Sequence, residues 1–532
     1  MKQHVACKMK GYIQPFERYL ALAELESLSA ARAEVDETNR AFVTTNVSAR
    51  ELASRLSFYE TVNHRNSTLT TEQVLREATS YVARNGIPIS DIRNQLPVRG
   101  DGRLPNRRCL RYGTHGIHEY RGKFFPQLVR SLINIARVPE DGLVADPMCG
   151  SGTTLVEAAL ASCRGLGIDM NPLSVFMSSV KCRLLSTNPD LLAEAYHLVR
   201  DDLLNVKPRP VSSRLCYLRS LPEKDQGYLQ RWFSSEVLED LDIVISRVNE
   251  VDDVPIRDFM RLALSNVLRK VSWQKDADLR VRKEVRLDVE IDPIREFLEE
   301  LGRSVRIVVA LLCQLNGKPV GETSVAEGDA KEMAHMWGSF VGKVDAVITS
   351  PPYATALPYL DTDRLSLYYL NLLPRSLHRE RDKMMIGNRE ISEGIRKAYW
   401  KRIKKEGKKL PRSAIRLIAK IDLLNSKANV GFRRRNLPAL LAKYFLDMRE
   451  VLAGIVQILK PGAPAFVVVG DNHTVAGGNR VEIETASLLA ELAKMVGLEE
   501  GEHLPMDMLV SRDIFKRNAV ASETILEFRK PG

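Results

Sequence analysis

Residues 143–154, Leu-Val-Ala-Asp-Pro-Met-Cys-Gly-Ser-Gly-Thr-Thr, decide the fold of this chain. The first four predict a short buried strand, and a helical pattern follows from Leu155 to Cys163. Gly150 and Gly152 carry no Cβ, so they permit a tight turn that a ligand can approach closely. A strand, a glycine turn and a helix in this order direct backbone N–H groups and a helix N-terminus towards a bound cofactor. The stretch therefore predicts an α/β fold with a cofactor site at the carboxyl end of the strand.

A second strand follows closely and ends in an acid. It is predicted over residues 164–169 and finishes at Asp169. This acid lies about 20 residues beyond the glycines, the offset at which a carboxylate meets a ribose hydroxyl pair in nucleotide-binding folds. The turn itself fits neither G-x-G-x-x-G nor G-x-x-x-x-G-K-[ST], which disfavours a dinucleotide or a triphosphate as the ligand.

The stretch Thr-Ser-Pro-Pro-Tyr, residues 349–353, carries the second informative pattern. It follows an apolar run, residues 344–348, that is typical of a buried strand. The Ser350 hydroxyl and the carbonyl of Ser350 or Pro351 can accept both protons of an exocyclic amine, while Tyr353 stacks on the ring. The two prolines fix φ and remove two N–H donors, which makes the turn stiff and rich in acceptors. This pattern suits a flat heterocycle that bears an amino group.

Five strands are predicted beyond residue 320, and the two described above bring the total to seven. The five are Ser324–Glu327, Val344–Ser350, Ala465–Gly470, Met506–Val510 and Thr524–Phe528. A helix is predicted from Val481 to Val496. Strands that alternate with helices indicate a doubly wound, mostly parallel sheet, and the short closing pair indicates an antiparallel edge.

Four ordered motifs resemble the S-adenosylmethionine-dependent amino-methyltransferases of DNA. Residues 146–158 followed by 349–353 carry the resemblance, and the Ser-Pro-Pro-Tyr form is similar to the cytosine-N4 enzymes. Asp-Pro-Pro-Tyr or Asn-Pro-Pro-Tyr is more usual for adenine-N6. Residues 118–126 resemble the segment that precedes the glycine turn, and 327–330 resemble the acidic position that meets the adenine amine of the cofactor. The resemblance implies a class I, Rossmann-like methyltransferase with a seven-stranded sheet, one strand reversed, and helical insertions.

The motifs and the resemblance together predict the residues of the site. The catalytic residues are Ser350, Pro351, Pro352 and Tyr353. The residues for S-adenosylmethionine are Tyr120, Lys123, Phe124, Asp146, Pro147, Cys149, Gly150, Gly152, Thr153, Asp169, Asp329 and Thr349. No metal site is expected, because the seven cysteines include no C-x-x-C pair. None of them follows a proline, which disfavours the Pro-Cys nucleophile shared by the cytosine-C5 enzymes.

Positive charge is concentrated in one segment. Residues 371–436 hold 20 Lys plus Arg and 6 Asp plus Glu, a net +14 in a chain whose total is +11, so the remainder carries −3. Binding to a phosphate backbone needs such a basic stretch, and a solvated surface insertion is the alternative. DNA contact is predicted for Lys401, Arg402, Lys404, Lys405, Lys408, Lys409, Arg433, Arg434 and Arg435.

The patterns divide the chain into six parts. These are a mainly helical N-terminal region (1–110), the cofactor-binding half of a methyltransferase core (111–185), a helical insertion (186–318), the catalytic half of the core (319–370), a basic insertion for target recognition (371–436) and the C-terminal part of the core (437–532). One helix of the helical insertion has clear bounds, with Asp292 as its cap, Pro293 in its first turn and Gly317 past its end.

The predicted function is site-specific transfer of a methyl group from S-adenosylmethionine to the N4 amine of a cytosine flipped out of DNA. The expected partners are DNA and a separate restriction endonuclease or defence-system subunit. Adenine-N6 methylation of DNA, methylation of an RNA base and a non-catalytic DNA-binding subunit remain as alternatives. The N-terminal residues carry no secretory signal, and no apolar stretch approaches the ~20 residues that span a bilayer, so a cytoplasmic location is expected.

Overall fold

The computed structural model describes residues 2–84, 86–96, 108–120, 122, 124–206, 215–275, 282–285, 291–354, 359–388, 391–507 and 522–532. Its N-terminal part contains a five-stranded antiparallel sheet in the order β2-β3-β1-β4-β5. The strands are β1 (Gln3–Met9), β2 (Glu34–Val35), β3 (Arg40–Thr45), β4 (Tyr59–His64) and β5 (Ser67–Thr70), and the helices are α1 (Pro15–Ser29), α2 (Ala49–Arg55), α3 (Glu72–Arg84) and α4 (Ile89–Ile92).

Strand β1 illustrates why this part of the chain forms a sheet. Val5, Cys7 and Met9 are buried, whereas His4 and Lys8 are exposed. This alternation is the two-residue period of a strand with one covered face. The prediction of a mainly helical region did not include this sheet, which accompanies helices α1 to α4.

A second, seven-stranded sheet has the order β13-β14-β10-β9-β6-β7-β8. Its strands are β6 (Leu143–Asp146), β7 (Arg164–Asp169), β8 (Thr323–Glu327), β9 (Ala346–Thr349), β10 (Pro464–Gly470), β13 (Glu499–Asp507) and β14 (Ser522–Arg529), and a separate hairpin consists of β11 (Asn472–Ala476) and β12 (Asn479–Ile483). Strand β14 is antiparallel to both of its neighbours, and the five strands from β10 to β8 pair in parallel. These pairings confirm the predicted doubly wound, mostly parallel seven-stranded sheet with an antiparallel edge.

All seven predicted strands of this sheet are present; β6 and β7 have the predicted ends, and the other five differ at their ends. Strand β9 is shorter than the predicted Val344–Ser350. The predicted strand Met506–Val510 falls at the end of β13, and residues 508–510 lie outside the described residues. The predicted helix Val481–Val496 is wrong at its start, because residues 481–483 belong to strand β12 and the helix begins at Thr485.

Apolar layers cover both faces of the seven-stranded sheet. Helix α5 (Pro126–Ile135) precedes β6 in the chain. Helix α6 (Thr153–Leu160) connects β6 to β7, and α7 (Pro172–Arg183) follows β7. Ile348 and Val468 face a core shared with α5 and the N-terminal sheet, whereas Val347 and Val467 face the opposite core. Burial on both faces explains why β9 and β10 are continuous apolar runs instead of alternating patterns.

The predicted helical insertion packs in an apolar core that it shares with α7 and with residues 360–373. Its helices are α8 (Pro189–Leu204), α9 (Cys216–Ser220), α10 (Glu223–Leu229), α11 (Ser235–Asn249), α12 (Val254–Leu268) and α13 (Pro293–Leu315). Helix α13 confirms the predicted capping. At the start of the helix, Asp292 Oδ1 accepts a hydrogen bond from Arg295 N at 2.9 Å. The helix ends at Leu315, and the next two residues, Asn316 and Gly317, both have positive φ.

The remaining helices surround the carboxyl edge and the second face of the sheet. They are α14 (Met333–Met336), α15 (Tyr359–Thr362), α16 (Arg364–Tyr369), α17 (Arg375–Met384), α18 (Glu393–Glu406), α19 (Arg412–Ser426), α20 (Phe432–Ile458) and α21 (Thr485–Met495). Helix α20 crosses the predicted boundary at residue 436, so the basic segment shares a continuous helix with the core. Among the helices that the structure describes, none is long and apolar enough to cross a membrane.

Candidate active site

The glycine turn joins β6 to α6. Gly150 and Gly152 have φ of +49° and +77°, a region that only glycine adopts readily. A Cβ on Gly152 would lie 2.9 Å from the Cα of Ser178 in α7, so the turn and this helix are in direct contact. Cys149 N donates to Ile168 O at 2.9 Å, which fixes the turn against β7. The turn is therefore rigid before any ligand binds.

Asp169 ends β7 and holds the turn from the other side. Its carboxylate accepts hydrogen bonds from Gly150 N and from Asn171 N, both at 2.8 Å. Burial raises the pKa of this carboxyl to about 6, although the backbone hydrogen bonds oppose the shift. Each carboxylate oxygen retains a second lone pair for a further donor.

Asp146 ends β6 and links the two halves of the site. Thr349 Oγ1 donates to Asp146 Oδ1 at 2.7 Å across 203 positions of sequence, and Met148 N donates to the same oxygen at 3.1 Å. Burial raises the pKa of the Asp146 carboxyl to about 6. Because Ser350 directly follows Thr349, this hydrogen bond brings the Ser-Pro-Pro-Tyr turn beside the glycine turn.

The Ser-Pro-Pro-Tyr turn is held at its far end by two neighbouring strands. The Tyr353 hydroxyl donates to the Glu523 carboxylate on β14, and Asn472 Nδ2 on β11 donates to Ala354 O at 2.5 Å. A Cβ on Gly387 would lie 3.1 Å from the Pro352 Cβ, so the chain after α17 packs directly over the turn. These contacts fix the turn from outside. Pro351 and Pro352 have no backbone N–H groups with which to form hydrogen bonds of their own.

Both turns open into one cleft. Eleven of the predicted site residues line it: Tyr120, Phe124, Asp146, Pro147, Cys149, Gly150, Thr153, Asp169, Asp329, Ser350 and Pro352. Four others lie beside it and are not part of its lining: Gly152, Thr349, Pro351 and Tyr353. Lys123 lies outside the described residues.

Cys149 lines the cleft as a neutral thiol. It is 5% exposed, and burial raises its pKa well above the usual value. Its Sγ lies 3.7 Å from Ser178 Oγ. Cys149 therefore fills space behind the turn and has no thiolate with which to attack a ligand.

Asp329 lies at the opposite end of the cleft, after β8. Its carboxylate accepts from Lys331 N at 3.0 Å and pairs with Lys331 Nζ at 2.8 Å. The neighbouring Lys443 of α20 is buried, pairs with Asp447 at 2.6 Å and donates to Met385 O at 2.8 Å. Burial lowers the pKa of Lys443, and the Asp447 carboxylate opposes this shift. The hydrogen bond from Lys443 thus ties the segment of Met385 to α20.

Sequence patterns missed several residues of the cleft. These are Gly122, Met148, Ser151, Met170, Asn171, Ala330, Met385 and Ile386. Asn171 had a usable signal, because it precedes Pro172 and caps α7 through the Leu173 N–H at 3.1 Å. Met385 and Ile386 belong to the basic segment and gave no signal, since only the folded chain brings them over the cofactor half.

The predicted DNA-contacting residues lie away from the cleft lining, on two surfaces. Four belong to α18 and two to the turn after it, and three form the first turn of α20; they are Lys401, Arg402, Lys404, Lys405, Lys408, Lys409, Arg433, Arg434 and Arg435. The side chain of Lys404 is outside the description. Arg402 and Lys409 each pair with Glu406 at 3.3 Å. The three arginines of α20 are exposed.

Comparison with known proteins agrees with this geometry. Residues 118–196 match the family described as UPF0020, the RMKL-like methyltransferase domain. The chain is 25% identical over 395 residues to Type II methyltransferase M.MvaI of Kocuria varians, covering 72% of this chain and 81% of the relative. It is 23% identical over 417 residues to Type II methyltransferase M.BsoBI of Geobacillus stearothermophilus, covering 70% and 78%.

A shorter similarity extends to an RNA-modifying enzyme. Over 50 residues the chain is 42% identical to the tRNA (guanine(10)-N2)-dimethyltransferase of Methanocaldococcus jannaschii, which covers 9% of this chain and 14% of the relative. These matches and the sheet order identify a methyltransferase whose cofactor is S-adenosylmethionine. The residues of the cleft fit that cofactor, because the turn has no room for side chains at its glycines and an acid ends both β6 and β7, buried at Asp146 and half-buried at Asp169.

Proposed function

We propose that this protein transfers a methyl group from S-adenosylmethionine to the N4 amine of cytosine at specific sites in DNA. The observation that carries the proposal is the 2.7 Å hydrogen bond from Thr349 to Asp146, because it joins the strand end before Ser-Pro-Pro-Tyr to the strand end before the glycine turn. The two Type II methyltransferases among the relatives support DNA as the acceptor. They also support a role in restriction and modification, with a separate endonuclease or defence-system subunit as the partner.

The cofactor half would bind S-adenosylmethionine through groups that the fold already orients. Asp169 would accept hydrogen bonds from the ribose hydroxyls, and Asp329 from the adenine amine. Asp146 would lie near the methionine portion, where a carboxylate offsets the positive charge of an ammonium group. When bound, the cofactor supplies an electrophilic methyl group, so the protein needs to align the acceptor and exclude water.

The catalytic half would prepare a poor nucleophile. The lone pair of the cytosine amine is delocalised into the ring, and accepting hydrogen bonds from both amine protons draws the nitrogen towards tetrahedral geometry. Ser350 Oγ would accept one proton, and the carbonyl of Ser350 or Pro351 the other. The same acceptors stabilise the positive charge that develops on the nitrogen during attack. A proton can leave to solvent after the transfer, so no strong base is required beforehand.

The acceptor base must leave the duplex to reach the cleft. Extrusion costs about a few kcal/mol. Stacking of the base on Tyr353 offsets part of that cost, since base–aromatic stacking is worth about 1–3 kcal/mol. Pro351 and Pro352 keep the turn stiff, so the acceptors do not have to be ordered when the base arrives.

DNA would run across the basic segment. Lys401, Lys405, Lys408 and Lys409 are exposed, and the segment carries a net +14. The same segment supplies Met385 and Ile386 to the cleft lining, which ties the charged surface to the proposed base pocket. A phosphate backbone bound to these lysines would add affinity for DNA that does not depend on its sequence.

Neutralising four lysines of this surface tests the DNA interface. Changing Lys404, Lys405, Lys408 and Lys409 to Gln should weaken DNA binding and flatten its salt dependence by about one unit of slope for each lost phosphate contact. Binding to a duplex is measured by fluorescence anisotropy at several salt concentrations.

A matched control removes the same charge elsewhere. Arg18, Arg32, Arg40 and Arg50 are exposed on the N-terminal part, and changing all four to Gln should leave the slope near that of the wild type. An unaltered slope in the lysine variant, or an equal decrease in both variants, would contradict the assignment of the interface.

An RNA acceptor is the second candidate, because 50 residues of the chain are 42% identical to a tRNA guanine-N2 enzyme. Adenine-N6 methylation differs only in the base that enters the cleft. A non-catalytic subunit is disfavoured by the intact glycines and acids of the cleft. The serine before the two prolines favours cytosine.

Measurement of modified nucleosides distinguishes these candidates. DNA and RNA from cells that make the protein are digested and compared with those from cells that make the Ser350→Ala variant. N4-methylcytosine in DNA is expected only with the wild type. N6-methyladenine without N4-methylcytosine, or methylation confined to RNA, would overturn the proposal, and sequencing of modified bases in context gives the recognition site.

A further inference from the structure

We propose that Glu523 is a positioning residue for the acceptor base, acting through the ring of Tyr353. The inference rests on the proposed function, since it concerns the ring on which the extruded base would stack. Glu523 is separated from Tyr353 by 170 positions of sequence, yet its carboxylate accepts a hydrogen bond from the Tyr353 hydroxyl. No sequence motif pointed to this residue.

The register of three strands explains how the two residues meet. Thr349 at the end of β9 pairs with Val467 of β10, and Gly470 at the end of β10 pairs with Glu523 at the start of β14. The Ser-Pro-Pro-Tyr turn leaves β9 at the carboxyl edge of the sheet. Because β14 is reversed, it enters the sheet at that same edge. Glu523 is therefore presented to Tyr353 across the end of β10.

The contact restricts the ring of Tyr353 at the atom farthest from the backbone. A tyrosine held only at Cα can rotate about χ1 and χ2, and stacking on a base would have to freeze those rotations. A hydrogen bond at the hydroxyl removes this freedom before the base arrives. An ionised acceptor makes such a bond shorter and stronger than a neutral one does.

The surroundings support an ordered arrangement. Tyr353 and Glu523 are both half-buried, and Asn472 fixes the next carbonyl, that of Ala354, at 2.5 Å. Burial raises the pKa of the Glu523 carboxyl, and the hydrogen bond from Tyr353 opposes this shift. Met506 of β13 is the backbone neighbour of Glu523 on its other side, so the main chain of Glu523 is held by the sheet.

Four variants test the inference: Glu523→Ala, Glu523→Gln, Tyr353→Phe and the double variant Glu523→Ala with Tyr353→Phe. Transfer of labelled methyl groups to unmodified plasmid DNA gives kcat and KM for DNA, and calorimetry gives the affinity for S-adenosylmethionine. Glu523→Ala and Tyr353→Phe should each lower kcat/KM for DNA about 10- to 100-fold, because misplaced groups cost this much. Cofactor affinity should change less than about twofold, since Asp169 and the glycine turn are untouched.

Comparison of the double variant with the two single variants distinguishes a positioning role of Glu523 from a purely structural one. The double variant should be no worse than either single variant, and Glu523→Gln should recover most of the activity because its amide oxygen still accepts a hydrogen bond. Glu527→Gln on the same strand is the matched control and should behave as the wild type. Losses that multiply in the double variant, or an unaffected Glu523→Ala, would overturn the inference.

Misfolding of a variant and a wrong acceptor can each be recognised separately from failure of the inference. If Glu523→Ala does not fold, Glu523→Gln and Tyr353→Phe still decide, because full activity of Tyr353→Phe would show that the hydroxyl contact is dispensable. If the wild type methylates RNA instead of DNA, the proposed acceptor is wrong. The same four variants then measure the coupling on that acceptor.

Discussion

Replacing Ser350 with Ala should lower kcat by about 10²- to 10³-fold, the cost typical of removing one preorganised hydrogen-bonding group from a transition state. The hydroxyl is one of the two acceptors proposed for the amine protons. The affinity for S-adenosylmethionine should stay within about twofold, because Asp146 and Asp169 keep their own hydrogen bonds. Single-turnover methyl transfer and calorimetry measure the two quantities separately.

Ser54→Ala is the matched control for Ser350→Ala. Ser54 is exposed on α2 and bonds only locally, to Glu51 O at 2.7 Å. Ser54→Ala should therefore match the wild type in rate and in cofactor affinity. If Ser350→Ala kept the wild-type rate, the serine would not bind the amine. If it lost cofactor affinity in proportion to rate, Ser350 would belong to the cofactor site.

Replacing Gly152 with Ala should abolish tight binding of the cofactor. The new Cβ would lie 2.9 Å from the Cα and Cβ of Ser178, and the residue would keep a φ of +77° that L-residues disfavour. The left-handed conformation and the overpacking together should cost about 2–4 kcal/mol of unfolding free energy. The turn must shift to relieve the contact, so the dissociation constant of S-adenosylmethionine should rise at least about tenfold. Calorimetry and denaturant unfolding measure both effects.

Gly462 provides the matched control for this substitution. Its φ is +73°, close to that of Gly152, but a Cβ there would meet nothing within 4 Å. Gly462→Ala should lose only about 1 kcal/mol of stability and should bind the cofactor as the wild type does. Equal cofactor affinities in the two variants would show that the steric contact with Ser178 does not shape the turn.

Local patterns were sufficient to predict the cofactor turn and the seven strands. Strand β6, the glycines after it and Asp169 all lie within 30 residues of sequence. Their spacing alone predicts a strand, a glycine turn and a helix followed by a second strand that ends in an acid. Burial on both faces gave β9 and β10 uninterrupted apolar runs that are easily recognised. The fold could therefore be predicted from the sequence.

Contacts between distant segments were not predictable in the same way. Tyr353 meets Glu523, and Lys443 supports Met385, without any periodic signal in either partner. The N-terminal sheet escaped prediction because strands such as β2 are only two residues long. Which segments cover the cleft depends on tertiary packing, and periodicity reports only the local structure of each segment.

The position of β6 between β7 and β9 has a consequence for synthesis of the chain. On the ribosome β7 appears soon after β6, but β9 follows only about 180 residues later, roughly ten seconds or more at typical elongation rates. During that interval one edge of β6 has unpaired backbone groups that invite pairing with other chains. Nascent protein thus has a prolonged aggregation-prone stage, and chaperone capacity should limit its yield at high expression.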